Sequence, residues 1–183
     1  MEKPGKCFLS GSCLQRRLSF ITLGAVAVVF FLLPLFMAGC GTKIDYAEQI
    51  KDGRYNDVEL GSDSASQIIG KLGKPTKQET LSNGAIHLTY DDITYGINGH
   101  TKRLGVIVSY SKTKKLLGVN VGMSFNEAKS ILGSPTAEQP GANTSDINRW
   151  VIEYRYGQNA LVLGGPSRNG PITIIMFMNL NRN

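Results

Sequence analysis

A thirteen-residue motif occurs twice in this chain, and the second copy follows the first at a constant offset of 60 residues. The motif runs from Ser64 to Thr76 and again from Ser124 to Thr136. Both copies keep a serine, a Gln or Glu three positions later, and the ending Leu-Gly-x-Pro-Thr. Just upstream, residues 58–61 are echoed by residues 119–122 with a slip of one residue. Repetition of this kind indicates a chain built from two copies of one small folding unit.

Each recurring position has a mechanical reason. Ser64 with Gln67, and Ser124 with Glu127, match the capping box that satisfies free backbone donors at the start of a helix. The apolar residues that follow recur at helical spacing. They are Ala65, Ile68, Ile69 and Leu72 in the first copy, and Phe125, Ala128, Ile131 and Leu132 in the second. Gly73 and Gly133 suit the left-handed residue after a helix, and the prolines two positions later stop the helix from resuming. The motif therefore serves folding rather than chemistry.

Runs of alternating or apolar residues after each helix predict strands. In the first copy these are residues 85–90, 93–97 and 104–110; in the second they are 150–154, 160–163 and 172–178. Asn83-Gly84 and Asn98-Gly99 are turn signals between strands of a hairpin. We therefore predict an α+β fold of two tandem modules, each a helix with an antiparallel three-stranded sheet, over residues 57–112 and 113–183. Copies of about 60 residues are individually marginal in core size, so we expect them to pack as one unit.

The N-terminal segment has the organisation of an export signal. Residues 1–17 hold four basic side chains and one acidic one, residues 18–36 are almost wholly apolar, and the segment ends in Met37-Ala-Gly-Cys40. This ending resembles the lipobox of bacterial lipoproteins, with Met37 where leucine is commonest. The sequence thus predicts a signal peptide over residues 1–39, acylation of Cys40 by membrane lipid, and a tether over residues 40–56. The alternative is an uncleaved transmembrane anchor. Both place the folded part on the extracytoplasmic face of the cell membrane.

Cysteine and charge counts change once the signal is set aside. Cys7 and Cys13 lie within it, so Cys40 is the single cysteine of the processed chain and no internal disulfide can form. Removing residues 1–39 takes away four basic residues and one acidic one, which lowers the formal net charge from +6 to +3. A charge of this size gives no reason to expect a nucleic-acid partner.

No residue pattern in the chain indicates catalysis. His87 and His100 are expected to be exposed, and Asp91-Asp92 is expected to be a solvated turn rather than a calcium site. No zinc-protease or serine-hydrolase motif occurs. We therefore predict a protein without enzymatic activity, cofactor or metal.

Aromatic residues on or beside the predicted strands are the candidate binding residues. Tyrosine and tryptophan offer large contact areas at low entropic cost, which suits a partner-binding surface. The residues singled out are Tyr90, Tyr95, Tyr110, Trp150 and Tyr154. The alternative is burial of half or more of the aromatics beneath the helices, and it is the favoured interpretation for Trp150 and Tyr154.

Residues 121–136, followed by Arg149–Tyr154, resemble the module of the SmpA/OmlA (BamE-like) outer-membrane lipoproteins. The β-lactamase inhibitor protein contains the same module twice. Over residues 50–180 the chain is similar to YjgB-type lipoproteins of Gram-positive bacilli, a family of unknown function. The BamE-like and inhibitor resemblances imply protein binding through a sheet surface. We therefore expect a membrane-anchored binding or scaffolding module for an envelope protein or a cell-wall component. Alternatives are an inhibitor or sensor of an envelope enzyme, and a cell-wall enzyme without recognisable motifs.

Overall fold

The computed structural model describes residues 45–141 and 150–181. The helices in these ranges are α1 (Tyr46–Asp52), α2 (Ala65–Leu72) and α3 (Phe125–Leu132). The strands are β1 (Arg54–Tyr55), β2 (Val58–Glu59), β3 (Lys77–Thr80), β4 (Ile86–Tyr90), β5 (Ile93–Ile97), β6 (Leu104–Ser109), β7 (Ala137–Pro140), β8 (Trp150–Tyr156), β9 (Asn159–Gly165) and β10 (Ile174–Asn179). The predicted signal peptide and Cys40 lie outside the described residues.

Eight strands form one antiparallel sheet in the order β3-β4-β5-β6-β10-β9-β8-β7. The first four belong to the first sequence copy and the last four to the second. The final strands of the two copies, β6 and β10, pair at the centre, with Ile107 opposite Phe177. Each copy thus runs inward from its own edge of the sheet, and the duplication is a symmetric one about this central pair.

The prediction of an α+β fold with one helix per repeated motif is confirmed, but the prediction of two three-stranded modules is wrong. Each copy has four strands, and the two sets form a single sheet. The missed strands are the edges β3 and β7, which are Lys-Gln-Glu-Thr and Ala-Glu-Gln-Pro. Neither strand shows apolar alternation, because every position of β3 is exposed and the half-buried positions of β7 are the consecutive Ala137 and Glu138. Their sequences therefore do not indicate strands. Pairing between β6 and β10 joins residues 57–112 to residues 113–183 because it removes one free edge from each copy.

Both repeated helices are capped as the motif predicts. The capping box is present at Ser64 and at Ser124, with reciprocal bonds to Gln67 and Glu127. Gly73 and Gly133 end the helices at φ values of 81° and 86°, a region that favours glycine. Their ψ values of −168° and −160° are extended, so neither glycine has the left-handed helical conformation that the motif predicts.

Residues 46–56 are part of the folded unit, which corrects the prediction of a tether extending to residue 56. α1 is capped by Asp45, and its Ile50 side chain is buried in the core. The side-chain amide of Asn159 donates to the carbonyl of Lys51 at 3.0 Å and fixes the end of α1 over the sheet. Within residues 45–141 and 150–181, no helix is long and apolar enough to cross a membrane.

Candidate binding face of the sheet

All three described helices pack on one face of the sheet. Side chains of that face form the core, for example Ile107, Leu161 and Phe177, each fully buried. The helices add Ile50, Ile68 and Phe125 to the same core. The opposite face of the sheet, which we call the open face, carries the alternate residues of every strand.

An apolar strip crosses the middle of the open face. It consists of Val106, Val108, Val162, Met176 and Met178, all half-buried. Val108 lies opposite Met176, and Val106 lies opposite Met178, so the strip spans the junction between the two sequence copies. Polar side chains flank it on both sides, with the Thr89–Thr94 pair on β4 and β5 and the Glu153–Arg155 ion pair on β8.

A cleft of about 750 Å³ lies at the end of the strip, where Val106 and Met178 form part of its lining. Its walls come from residues 59–62, from Asn98, Thr101 and Arg103 in the β5–β6 connection, and from Gln158, Asn179 and Asn181. This volume falls within the range of about 300–1,000 Å³ typical of small-ligand sites.

Gly96 and a β-bulge between β5 and β6 leave the backbone at the bottom of the cleft uncovered by side chains. The register between β5 and β6 shifts at Gly96 and Ile97, which leaves Gly105 without a pairing partner. A side chain at Gly96 would bring its Cβ to 2.8 Å from the Cγ1 atom of Val106. Because no side chain fits there, a bound molecule can approach the backbone of β5 directly.

The β5–β6 connection is held in one conformation by its own hydrogen bonds. The side-chain oxygen of Asn98 accepts from the backbone N–H groups of His100 and Thr101, at 2.8 and 3.1 Å. Arg103 donates from Nη1 to the carbonyl of Ser62 at 2.7 Å, which ties this wall of the cleft to the opposite one. The polar groups lining the cleft are therefore largely pre-positioned.

The predicted aromatic residues do not form one surface. Tyr95 and Tyr154 are buried, at 2% and 0% exposure, so the prediction that they contact a partner is corrected. For Tyr154, burial is the interpretation that the sequence favoured. Tyr90 is half-buried, and its hydroxyl donates to the carbonyl of Gly73 at 2.8 Å. Tyr110 alone is well exposed, at 55%. The alternating strand pattern placed Tyr90 and Tyr154 on the apolar face of their strands, and that face is the one the helices cover.

Trp150 is half-buried and belongs to a charged cluster. The Arg168 guanidinium lies 5.6 Å from the centre of its ring. Glu138 accepts from Lys129 at 2.6 Å, and that hydrogen bond is the main cause of a lowered pKa for the Glu138 carboxyl. The Trp150 indole N–H lies close enough to Glu138 to contribute to this lowering, although it makes no bond of good geometry. This cluster holds Trp150 in place.

The histidines and aspartates considered in the sequence do not come together in one site. His87 is half-buried on the open face and lines the cleft, whereas His100 is exposed in the turn. Asp91 pairs with Lys114, as expected of a solvated turn. In the part of the chain that the structure describes, no three His, Cys, Asp or Glu side chains are grouped to hold a metal ion.

The sequence contains a signal for the apolar strip that the strand prediction did not use. The β10 run Ile-Ile-Met-Phe-Met is apolar at every position, so both faces of that strand carry apolar side chains. The run Val106–Val108 in β6 has the same property. Only one of these faces is needed for the helix-covered core.

No family model and no curated protein matches the chain. Its structure is similar to the crystal structure of a DUF4309 family protein (YjgB) from Bacillus subtilis, with a TM-score of 0.52 and 13% identity, over 74% of this chain and 93% of that one. It also matches an extracellular protein containing an SCP domain from Bacillus anthracis, at a TM-score of 0.46 and 11% identity over 69% of this chain. A cysteine-rich secretory protein from Staphylococcus aureus gives a TM-score of 0.44 and 10% identity over 66% of this chain.

The chain spans about half the length of the two proteins last named, 49% and 43%. The likeness to the Bacillus subtilis protein shows a shared fold, and the expected similarity to YjgB-type proteins is confirmed at that level. The three structures include no BamE-like protein and no β-lactamase inhibitor, so that finer resemblance stays a prediction.

Proposed function

We propose that this chain is a lipid-anchored, extracytoplasmic binding protein without catalytic activity, and that the apolar strip is its contact surface for an envelope protein. The observation that carries the proposal is the second apolar face of β6, β9 and β10. The helices cover the core face of these strands, so Val108 and Met176 are not needed to hold the helices. Aliphatic side chains flanked by polar ones are the usual composition of a protein-binding surface.

Methionine in the strip supports the same proposal. Met176 and Met178 are flexible and polarisable, and they can adapt to the shape of a partner side chain. The strip is also formed by central strands rather than edges, so its backbone hydrogen bonds are already made. Binding there would depend on side-chain contact and not on the addition of a strand.

Site-specific photo-crosslinking in the source cells tests this proposal. A photoreactive amino acid at Met176 lies in the strip, whereas one at Ser66 lies on the exposed side of α2, on the helix-covered side of the sheet. We expect a discrete crosslinked protein from the Met176 position and none of the same mass from the Ser66 position. Identical products from both positions, or no product from Met176, would contradict a binding role for the strip.

The membrane anchor is tested separately, by metabolic labelling with palmitate. We expect label on the wild-type chain and none on Cys40→Ala, because the acylated thiol is the proposed attachment point. Label retained in Cys40→Ala would rule out this anchoring site while leaving the strip proposal intact.

A further inference from the structure

We infer that the cleft beside the apolar strip binds a carboxylate carried on an extended peptide segment, and that Arg103 is the residue that recognises it. The inference rests on the proposed function, since it names the kind of partner segment that the open face would accept. It follows from an arginine that has no carboxylate partner among the described residues, from the unused hydrogen-bond donors of the cleft and from the surface beside it.

Arg103 is held at the cleft with most of its donors unused. One N–H of its guanidinium is bound to the Ser62 carbonyl at 2.7 Å. A guanidinium has five N–H donors in a fixed planar arrangement that matches a carboxylate. Among the described residues, Arg103 has no carboxylate partner. The acidic side chain in the lining, Glu59, is already paired with Arg54 at 3.2 Å.

The side-chain amide of Asn98 adds a free donor to the cleft but no free acceptor. The oxygen of Asn98 is occupied by two backbone N–H groups of its own turn, and its Nδ2 group donates to no acceptor in the described residues. Asn179 is engaged at both ends of its amide, because its oxygen accepts from the backbone N–H of Asn181 and its Nδ2 donates to the oxygen of Asn159, each at 3.0 Å. The guanidinium of Arg103 and the amide of Asn98 therefore provide free donors in the lining, while the Glu59 carboxylate is already paired. Free donors of this kind favour a ligand with negatively charged acceptors.

The surface beside the cleft favours a peptide over a glycan. The cleft opens onto Val106 and Met178, which continue into the apolar strip. Among the residues that the structure describes, no Trp, Tyr or Phe lines the cleft. An aliphatic side chain next to an acidic one would bury apolar area on the strip while its neighbour reaches Arg103, whereas a hydroxyl-covered sugar ring gains little from such a strip.

NMR titration of the ¹⁵N-labelled full chain in detergent micelles tests this. The probes are acetyl-Val-Glu-Val-amide, its Gln analogue, and trigalacturonate as a carboxylate-bearing glycan. We expect the Glu peptide to shift the amide signals of Gly96 and Gly105 and to bind about tenfold more tightly than the Gln peptide, as for a charge-assisted pair. Arg103→Gln should remove that preference. Lys102→Gln removes a positive charge from the neighbouring residue, which does not line the cleft, and should retain the preference for the Glu peptide.

Three results would overturn the inference. These are equal affinity for the Glu and Gln peptides, an unchanged preference in Arg103→Gln, and tighter binding of trigalacturonate than of the Glu peptide. Failure here is distinct from failure of the proposed function, because the Met176 crosslink reports on the strip. A Met176 crosslink without Glu-peptide preference refutes only the carboxylate site.

Discussion

The hydroxyl of Tyr154 donates a hydrogen bond to the carbonyl of Gly133 at 3.2 Å, from the second strand of its copy to the residue that ends α3. The first copy repeats this bond between Tyr90 and Gly73, at 2.8 Å. In each copy the hydroxyl thus satisfies a carbonyl that the helix leaves free at its C-terminus. The glycine of the repeated motif and the aromatic residue of the strand form one structural device that docks a helix on the sheet.

Removing either hydroxyl should therefore weaken the fold and not a binding surface. We expect Tyr154→Phe and Tyr90→Phe each to lower the free energy of unfolding by about 0.5–1.5 kcal/mol, with the larger loss for the fully buried Tyr154. Urea unfolding followed by circular dichroism measures this. Tyr110→Phe is the matched control and should leave stability unchanged, since that ring is 55% exposed. Equal stability of all three variants would contradict the docking role.

Burial also predicts how stability falls at alkaline pH. Desolvation raises the pKa of Tyr154 to about 12, whereas an unfolded tyrosine titrates near 10. The stabilisation is therefore complete below pH 10 and is lost as the pH rises towards 12, because only the unfolded chain releases the proton. Across this interval the free energy of unfolding should fall less steeply with pH in Tyr154→Phe than in wild type. The difference between the two slopes should reach about 1.4 kcal/mol per pH unit. Tyr110→Phe should follow the wild-type slope.

The two helix caps should respond differently to acid. Ser124 donates its backbone N–H and its hydroxyl to the Glu127 carboxylate at 2.8 and 2.9 Å, and these bonds lower the pKa of Glu127. That contribution is present above the ordinary pKa of a glutamate and is lost as the pH falls through the lowered one. The first copy has the uncharged Gln67 at the same position.

We therefore expect Ser64→Ala and Ser124→Ala each to cost about 1 kcal/mol at pH 7. As the pH falls from about 5 to about 3, a range that brackets the ordinary glutamate pKa of roughly 4.3, the cost of Ser124→Ala should shrink while that of Ser64→Ala stays constant. Urea unfolding of both variants across this range measures the difference. A parallel decline in the two costs would show that Glu127 does not provide the pH dependence.

The packing of α1 should depend on Gly118, which lies against the ring of Tyr46. Gly118 has a φ of +83°, and a Cβ there would lie 2.6 Å from the Cζ atom of Tyr46. Gly122 has a φ of +96° with no atom within 4 Å of such a Cβ. Alanine at either site should cost about 1–2 kcal/mol for the backbone conformation. Gly118→Ala should cost more and should speed amide hydrogen exchange in α1, while Gly122→Ala should leave α1 exchange unchanged. Equal exchange in both variants would show that Tyr46 adjusts without loosening the helix.

Local chemistry determined the parts of this protein that the sequence predicts. Ser124 with Glu127 caps a helix through side chains three positions apart, and Gly133 with Pro135 ends it, so neighbouring residues suffice for both. The same holds for the turns at Asn83 and Asn98, where the side-chain oxygen accepts from a backbone N–H two residues ahead. The repeat of the motif likewise established the duplication.

Only the tertiary structure decided which strands of the two copies pair and which face of the sheet the helices cover. The pairing of Ile107 with Phe177 joins residues far apart in the chain, and no local pattern specifies it. Because β6 and β10 are apolar on both faces, alternation cannot tell which face the helices will cover. Helix packing buried Tyr95 and Tyr154 and left Met176 and Val108 on the open face. The candidate binding surface therefore depends on how the two sequence copies combine. β6 pairs with β10, and the helices of both copies lie on the same side of the resulting sheet.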